Sequence, residues 1–89
     1  MAMIVVEKLT AEKLKAAQVT SWPVWECEPS SFDWHYDEPE TCYILQGRVT
    51  VRTAEQTVTF GQGDLVKFPE GLSCTWTVHE KVRKHYRFG

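Results

Sequence analysis

With 89 residues, 43% of them hydrophobic and 25% charged, the chain is sized for one folded domain, residues 1–89, and does not have the composition of a disordered segment. A formal net charge of -2 argues against nucleic acid as a partner, because a domain this small needs a basic face for that task. Three cysteines, Cys27, Cys42 and Cys74, are odd in number and form no CxxC pair, so neither a disulfide framework nor a zinc knuckle is expected.

The chain opens with Met1–Glu7, which lacks the basic start, long apolar core and cleavage site of a secretory signal. No apolar run has the length of a membrane span, so no membrane partner is expected. Together with reduced thiols, this makes the cytoplasm the expected location. Met3 to Val6 reads as a short edge strand. Thr10 then suits a helix N-cap, with Glu12 placing negative charge in the first turn, and residues Ala11 to Ala17 favour a helix. Leu9, Leu14 and Ala17 would form its buried stripe. Pro23 ends any continuation.

From Trp25 onward the pattern is that of short strands: Trp25–Glu28, Phe32–Tyr36, Thr41–Leu45, Val49–Arg52, Thr57–Phe60, Leu65–Phe68, Leu72–Val78 and Val82–Phe88. Turn residues separate most of them, among them Glu38-Pro39, Gly47, Gly61-Gln62-Gly63-Asp64 and Pro69-Glu70-Gly71. Many evenly spaced strands without intervening helices mean an all-β sandwich or barrel.

Alternation assigns the faces. Cys42 and Ile44 share a phase with Glu40, while Thr41, Tyr43 and Leu45 take the other side. Both sides are partly apolar, which suggests cover by a second subunit, a homodimer. In Leu72–Val78 the core side is Leu72, Cys74, Trp76 and Val78. The basic tail alternates Val82, Lys84, Tyr86 and Phe88 against Arg83, His85 and Arg87, and its charges are expected to be mostly solvated. His79 and His85, near the strand ends, read as surface or interface residues.

Glu40, followed after six residues by Gly47, and the set Gly63, Pro69 and Gly71 fit the two sequence motifs of the cupins. The chain resembles the small cupin_3 proteins grouped with (S)-ureidoglycine aminohydrolase cupin domains. Carrying stretches include Trp22-Pro23-Val24-Trp25-Glu26, Phe32-Asp33-Trp34, Glu40 to Gly47, Gly63-Asp64-Leu65-Val66 and Phe68-Pro69-Glu70-Gly71-Leu72. The resemblance implies an all-β cupin jelly-roll barrel with a short N-terminal helix. It also implies a site inside the barrel, where metal-bearing members place three histidines and a glutamate.

Three of those four positions are changed here. The first motif's histidine positions fall on Trp34 and Tyr36, the second's on Cys74, and Glu40 alone is retained. An indole cannot ligate a metal, and a Tyr36-Glu40-Cys74 trio would be an unusual donor set. No tightly held metal or cofactor is therefore expected, a weakly held divalent ion being the most this set would support. His35 lies between Trp34 and Tyr36 and should face the opposite way.

Three functional readings follow. The first is a small organic ligand held by Trp34, Tyr36, Glu40, Cys74 and Trp76 in an aromatic-lined barrel. The second is an enzyme of aminohydrolase or isomerase type, with Glu40, Tyr36 and Cys74 as candidate catalytic groups. The third is a structural or interaction module with a closed barrel, in which Glu40 accepts a hydrogen bond from Tyr36 and Cys74 is core filling.

Overall fold

The computed structural model describes residues 3–89. Seven strands follow in order, all paired antiparallel: β1 (Val5–Lys8), β2 (Val24–Cys27), β3 (Ser30–His35), β4 (Glu40–Arg52), β5 (Thr57–Gly61), β6 (Asp64–Phe68) and β7 (Ser73–Phe88). One short helix, α1 (Ala11–Ala16), and a single 3-10 turn at Val19–Ser21 lie between β1 and β2. The chain is thus an all-β cupin jelly roll with a short N-terminal helix. No helix among the described residues is long and apolar enough to cross a membrane.

The two long strands set the architecture. The amino-terminal half of β4 pairs with β6 and with the last part of β7, and its other half pairs with β5 and the first part of β7. In turn β7 holds β3 along its first half and β2 along its second. Two half-sheets result, β1-β6-β4-β7-β2 and β5-β4-β7-β3, with shared spines. Ring contacts cross between them, as where Trp76 of β7 meets Trp25 of β2 and Phe68 of β6. The core is filled by Ile44, Val49, Val51, Phe60, Val66, Phe68 and Val82.

Two pairs of strands inferred from the sequence therefore merge. Thr41–Leu45 and Val49–Arg52 are one strand, because Gly47 makes a bulge and not a turn. The pairing of β4 with β7 shifts register at Ile44/Gln46, Gln46/Arg48 and Arg48/Val49, and Gly47 adopts φ +101°. A bulge bends a strand without ending it. Here the bend lets both spines pass from one half-sheet to the other. It also brings the Gly47 backbone so close to Lys81 that a Cβ would overlap the Lys81 carbonyl oxygen and lie 2.8 Å from Val82 Cα. Leu72–Val78 and Val82–Phe88 likewise join, as the single strand β7.

Thr10 caps α1 as expected, its Oγ1 accepting from Lys13 N at 3.2 Å. The expected apolar stripe does not form: Leu9 and Leu14 are only half-buried and Ala17 is exposed. Val19, buried at 1% exposure, anchors the segment in their place. The first strand runs from Val5 and not Met3, and it pairs only with β6, as an edge strand should. The alternation within Glu40–Leu45 holds, with Glu40, Cys42 and Ile44 buried and Thr41, Tyr43 and Leu45 half-buried.

Gly47 combines a positive φ with backbone on its Cβ side, so Gly47→Ala should lose at least about 2 kcal/mol of stability, a cost typical of a strained backbone with no room to relax. Urea denaturation of both proteins measures this. An unchanged midpoint would mean that β4 can bend elsewhere.

Candidate functional site

The site grows from Glu40, the first residue of β4, whose phase points it into the barrel at 4% exposure. Opposite it, β7 sends Val82, Lys84 and Tyr86 inward, and Trp76 and Val78 face the core further back along the same strand. Lys84 pairs in register with Ile44 on one side and with Trp25 on the other. Its flexible arm runs along the inner face to reach Glu40, and Nζ donates to Oε2 at 3.0 Å. Both side chains are buried, at 7% and 4% exposure. The ammonium also lies over two indoles, 4.9 Å from the Trp25 ring centroid and 4.7 Å from that of Trp76. Rings of this kind present a negative face to a cation, which offsets part of the desolvation of the charge.

Around this pair the walls are aromatic. Trp76 stacks on Phe32 at 6.1 Å and meets Trp25 edge-on, while Tyr36 stacks on Phe68 at 4.8 Å. Tyr36 is fixed by the turn between β6 and β7: its N–H donates to Leu72 O at 2.9 Å and Gly71 N donates back to its carbonyl at 2.7 Å. Its hydroxyl accepts from Trp76 Nε1 at 3.2 Å. Burial first, and the Glu40 carboxylate second, hold the Tyr36 phenol well above its ordinary pKa, so it stays protonated. The space between these walls is a partly open cavity of about 290 Å³ with Glu40 and Lys84 in its wall. Trp34 and Phe88, half-exposed, stand where it meets solvent.

Of the residues singled out from sequence, Trp34, Tyr36, Glu40 and Trp76 line this cavity and Cys74 does not. Cys74 is buried in the core on the side expected, but away from this cavity, with Sγ directed to the Trp34 carbonyl at 3.7 Å. Burial pushes its thiol up to about 11, so at neutral pH it is a poor nucleophile. Cys42, fully buried behind the pair, is pushed up to about 12 for the same reason. Trp34 is half-exposed and rests edge-on against Tyr36 at 6.5 Å, a rim residue and not an interior one. His35 turns to the outer surface, where Nδ1 meets Ser73 Oγ at 2.8 Å.

Two assignments are corrected. The tail's Lys81, Arg83 and Arg87 are exposed as expected, but Lys84 is not: it is buried and forms the ion pair with Glu40. It also displaces Tyr36 as the donor to Glu40. His85 is no surface residue: it is buried beneath the β2 entry, its Nδ1 2.9 Å from Trp22 O. The signal for Lys84 lay in the alternation itself, which put it in phase with Val82 and Tyr86.

The donor set does not fit the metal that the resemblance to metal-bearing cupins implies. Among the described residues no three His, Cys, Asp or Glu side chains come together in a metal-binding group. The retained Glu40 is already bonded to an ammonium, whose positive charge opposes a second cation at the same carboxylate.

Fold and cavity together define a small jelly-roll protein with a ligand-sized aromatic chamber. The profile of the EutQ-like cupin domain matches residues 14–86, and the chain belongs to that family. A DUF861 family protein from Thermotoga maritima is 52% identical, with a TM-score of 0.96 over 98% of this chain and all of that one. A Pseudomonas syringae pv. tomato protein of the same DUF861 family, described as of unknown function, is 28% identical with a TM-score of 0.67. It matches 74% of this chain, which spans 29% of that longer protein. The Clostridium difficile EutQ protein shares the fold at 19% identity, with a TM-score of 0.69 over 98% of this chain and 68% of that one. No curated protein matches the chain in sequence.

Removing one member of a buried pair strands the other charge. Lys84→Met should therefore destabilise by about 3–5 kcal/mol, and Glu40→Gln added to it should restore most of the loss. Chemical denaturation of the two single variants and the double variant measures the coupling. Independent, additive losses would mean that the pair is not a unit.

Proposed function

We propose that the protein binds a small organic molecule with a flat, apolar body and a polar group. The body would lie between the aromatic walls and the polar group would meet Glu40 and Lys84. One observation carries this reading: a buried ion pair exposed to the chamber in an otherwise aromatic wall. Buried polar groups in an apolar pocket are what orients a ligand, since the walls alone give affinity without direction. Oε2 of Glu40 is held by Lys84. Among the described residues Oε1 has no hydrogen bond, which leaves an acceptor for a donor on the ligand. The rim position of Trp34 suits it to close over a bound ring.

The aminohydrolase-type reading has less support. It needed Glu40, Tyr36 and Cys74 to act together, and Cys74 lies outside the chamber wall while the Tyr36 phenol is held in its protonated form. Glu40 is the one member of that trio suited to proton transfer, and its bonded partner is Lys84.

A panel of small aromatic, heterocyclic and carbonyl compounds titrated against intrinsic tryptophan fluorescence tests the binding reading. A hit should saturate, and Trp34→Ala should weaken it by about 1 kcal/mol, roughly fivefold, the value of one aromatic contact. Compounds that bind equally well to the Trp34→Ala protein would place the ligand elsewhere.

A further inference from the structure

Orientation of a ligand does not by itself require a lysine. An arginine would make a stronger structural pair with a carboxylate, through two parallel hydrogen bonds, and it would stack on the indoles as well. What lysine offers in its place is an amine that becomes a nucleophile once it gives up a proton. At Lys84 the conditions for that chemistry coincide. Nζ borders a chamber, a carboxylate stands 3.0 Å away to take the proton, and the flanking Trp25 and Trp76 rings present flat faces to the space beside it.

We propose that Lys84 forms a Schiff base with small aldehydes or ketones in this chamber, with Glu40 moving the proton; this deepens the binding reading and rests on it. The Lys84 ammonium passes one proton to Glu40 Oε2, which leaves a neutral amine beside a neutral carboxyl group. The nitrogen lone pair attacks the carbonyl carbon, a C–N bond forms, and the carbonyl π electrons move to oxygen. A proton then passes from that nitrogen to the oxygen, giving the carbinolamine. Glu40 returns its proton to the hydroxyl, the C–O bond breaks, water leaves, and the nitrogen lone pair completes the C=N bond. The product is an iminium cation beside a carboxylate, so the charges of the starting pair are restored, and atoms and electrons balance without an oxidant or reductant. The iminium lies against the same two indoles that held the ammonium, where a cation over ring faces is stabilised. The small chamber and its aromatic wall favour a compact carbonyl compound with a planar body.

The test uses the intact protein, benzaldehyde as probe and sodium cyanoborohydride to reduce any iminium to a stable benzylamine, with sites read by peptide mass mapping. At low benzaldehyde the wild-type chain should carry its first benzyl group on Lys84, ahead of the far more exposed Lys8 and Lys67. Glu40→Gln, which keeps the amine and removes the proton acceptor, should slow Lys84 labelling by about 100-fold, a typical general acid–base effect, while labelling of Lys8 is unchanged. Adducts spread over the exposed lysines with Lys84 spared would overturn the proposal, and the wild-type protein alone suffices for that outcome. Quenching of tryptophan fluorescence by benzaldehyde separates the two levels. Quenching without a Lys84 adduct overturns the imine and leaves the chamber a binding site. Neither quenching nor adduct overturns the imine as well, and the compound panel then decides the binding reading alone.

Discussion

A carboxylate and an ammonium held 3.0 Å apart inside an aromatic enclosure constrain everything around them. Neither Glu40 nor Lys84 could be buried alone, because an unpaired charge in so apolar a space costs several kcal/mol. Their meeting is possible because β4 and β7 pair directly and in a register that places both side chains on the inner face. The indoles of Trp25 and Trp76 then wrap the ammonium, and the other rings wrap the indoles. The chamber exists because a polar pair occupies wall space that an apolar core would have closed.

The bend at Gly47 makes that enclosure. Without it, β4 and β7 would continue as one flat ribbon, and their two halves could not fold over the same core. The glycine supplies the positive φ and the missing side chain that the close passage of Lys81 demands. From this bend the rest follows in sequence: β2 and β3 reach opposite halves of the same strand, Trp25 meets Phe32 edge-on at 6.5 Å, and Trp76 packs against both at 6.1 Å. The site is therefore a product of strand pairing and not of loops, and a rigid floor of this kind suits orientation of a small ligand.

Much of this was legible in the residues. Short alternating runs and turn chemistry gave the all-β class, and the spacing of Glu40 to Gly47 and of Gly63, Pro69 and Gly71 pointed to the cupin jelly roll. Phase placed Glu40, Tyr36 and Trp76 inside and His35 outside. Phase says which side a residue faces, but depth along the barrel comes only with the packing. Trp34 has an inward phase yet lies at the open end, and Cys74 is buried in the core as its phase predicts yet does not reach the cavity. Lys84 was obscured for a different reason. Composition makes a run such as Lys81-Val82-Arg83-Lys84 look like a solvated edge, and only its partner across the sheet shows that one of the three cations is inside. Gly47 was read as a turn because a bulge and a turn draw on the same residue type.

Glu40, at the position where the resemblance to metal-bearing cupins implies a metal ligand, forms an ion pair in this chain, with a lysine from β7 supplying the positive charge. The most direct test is the side-chain NMR spectrum of the lysines at neutral pH, assigned through Lys84→Arg. Two indole faces about the ammonium should shift the ε-methylene protons of Lys84 upfield of those of every other lysine by ring current. A Lys84 signal among those of the exposed lysines would contradict the buried pair, and with it the account of the chamber.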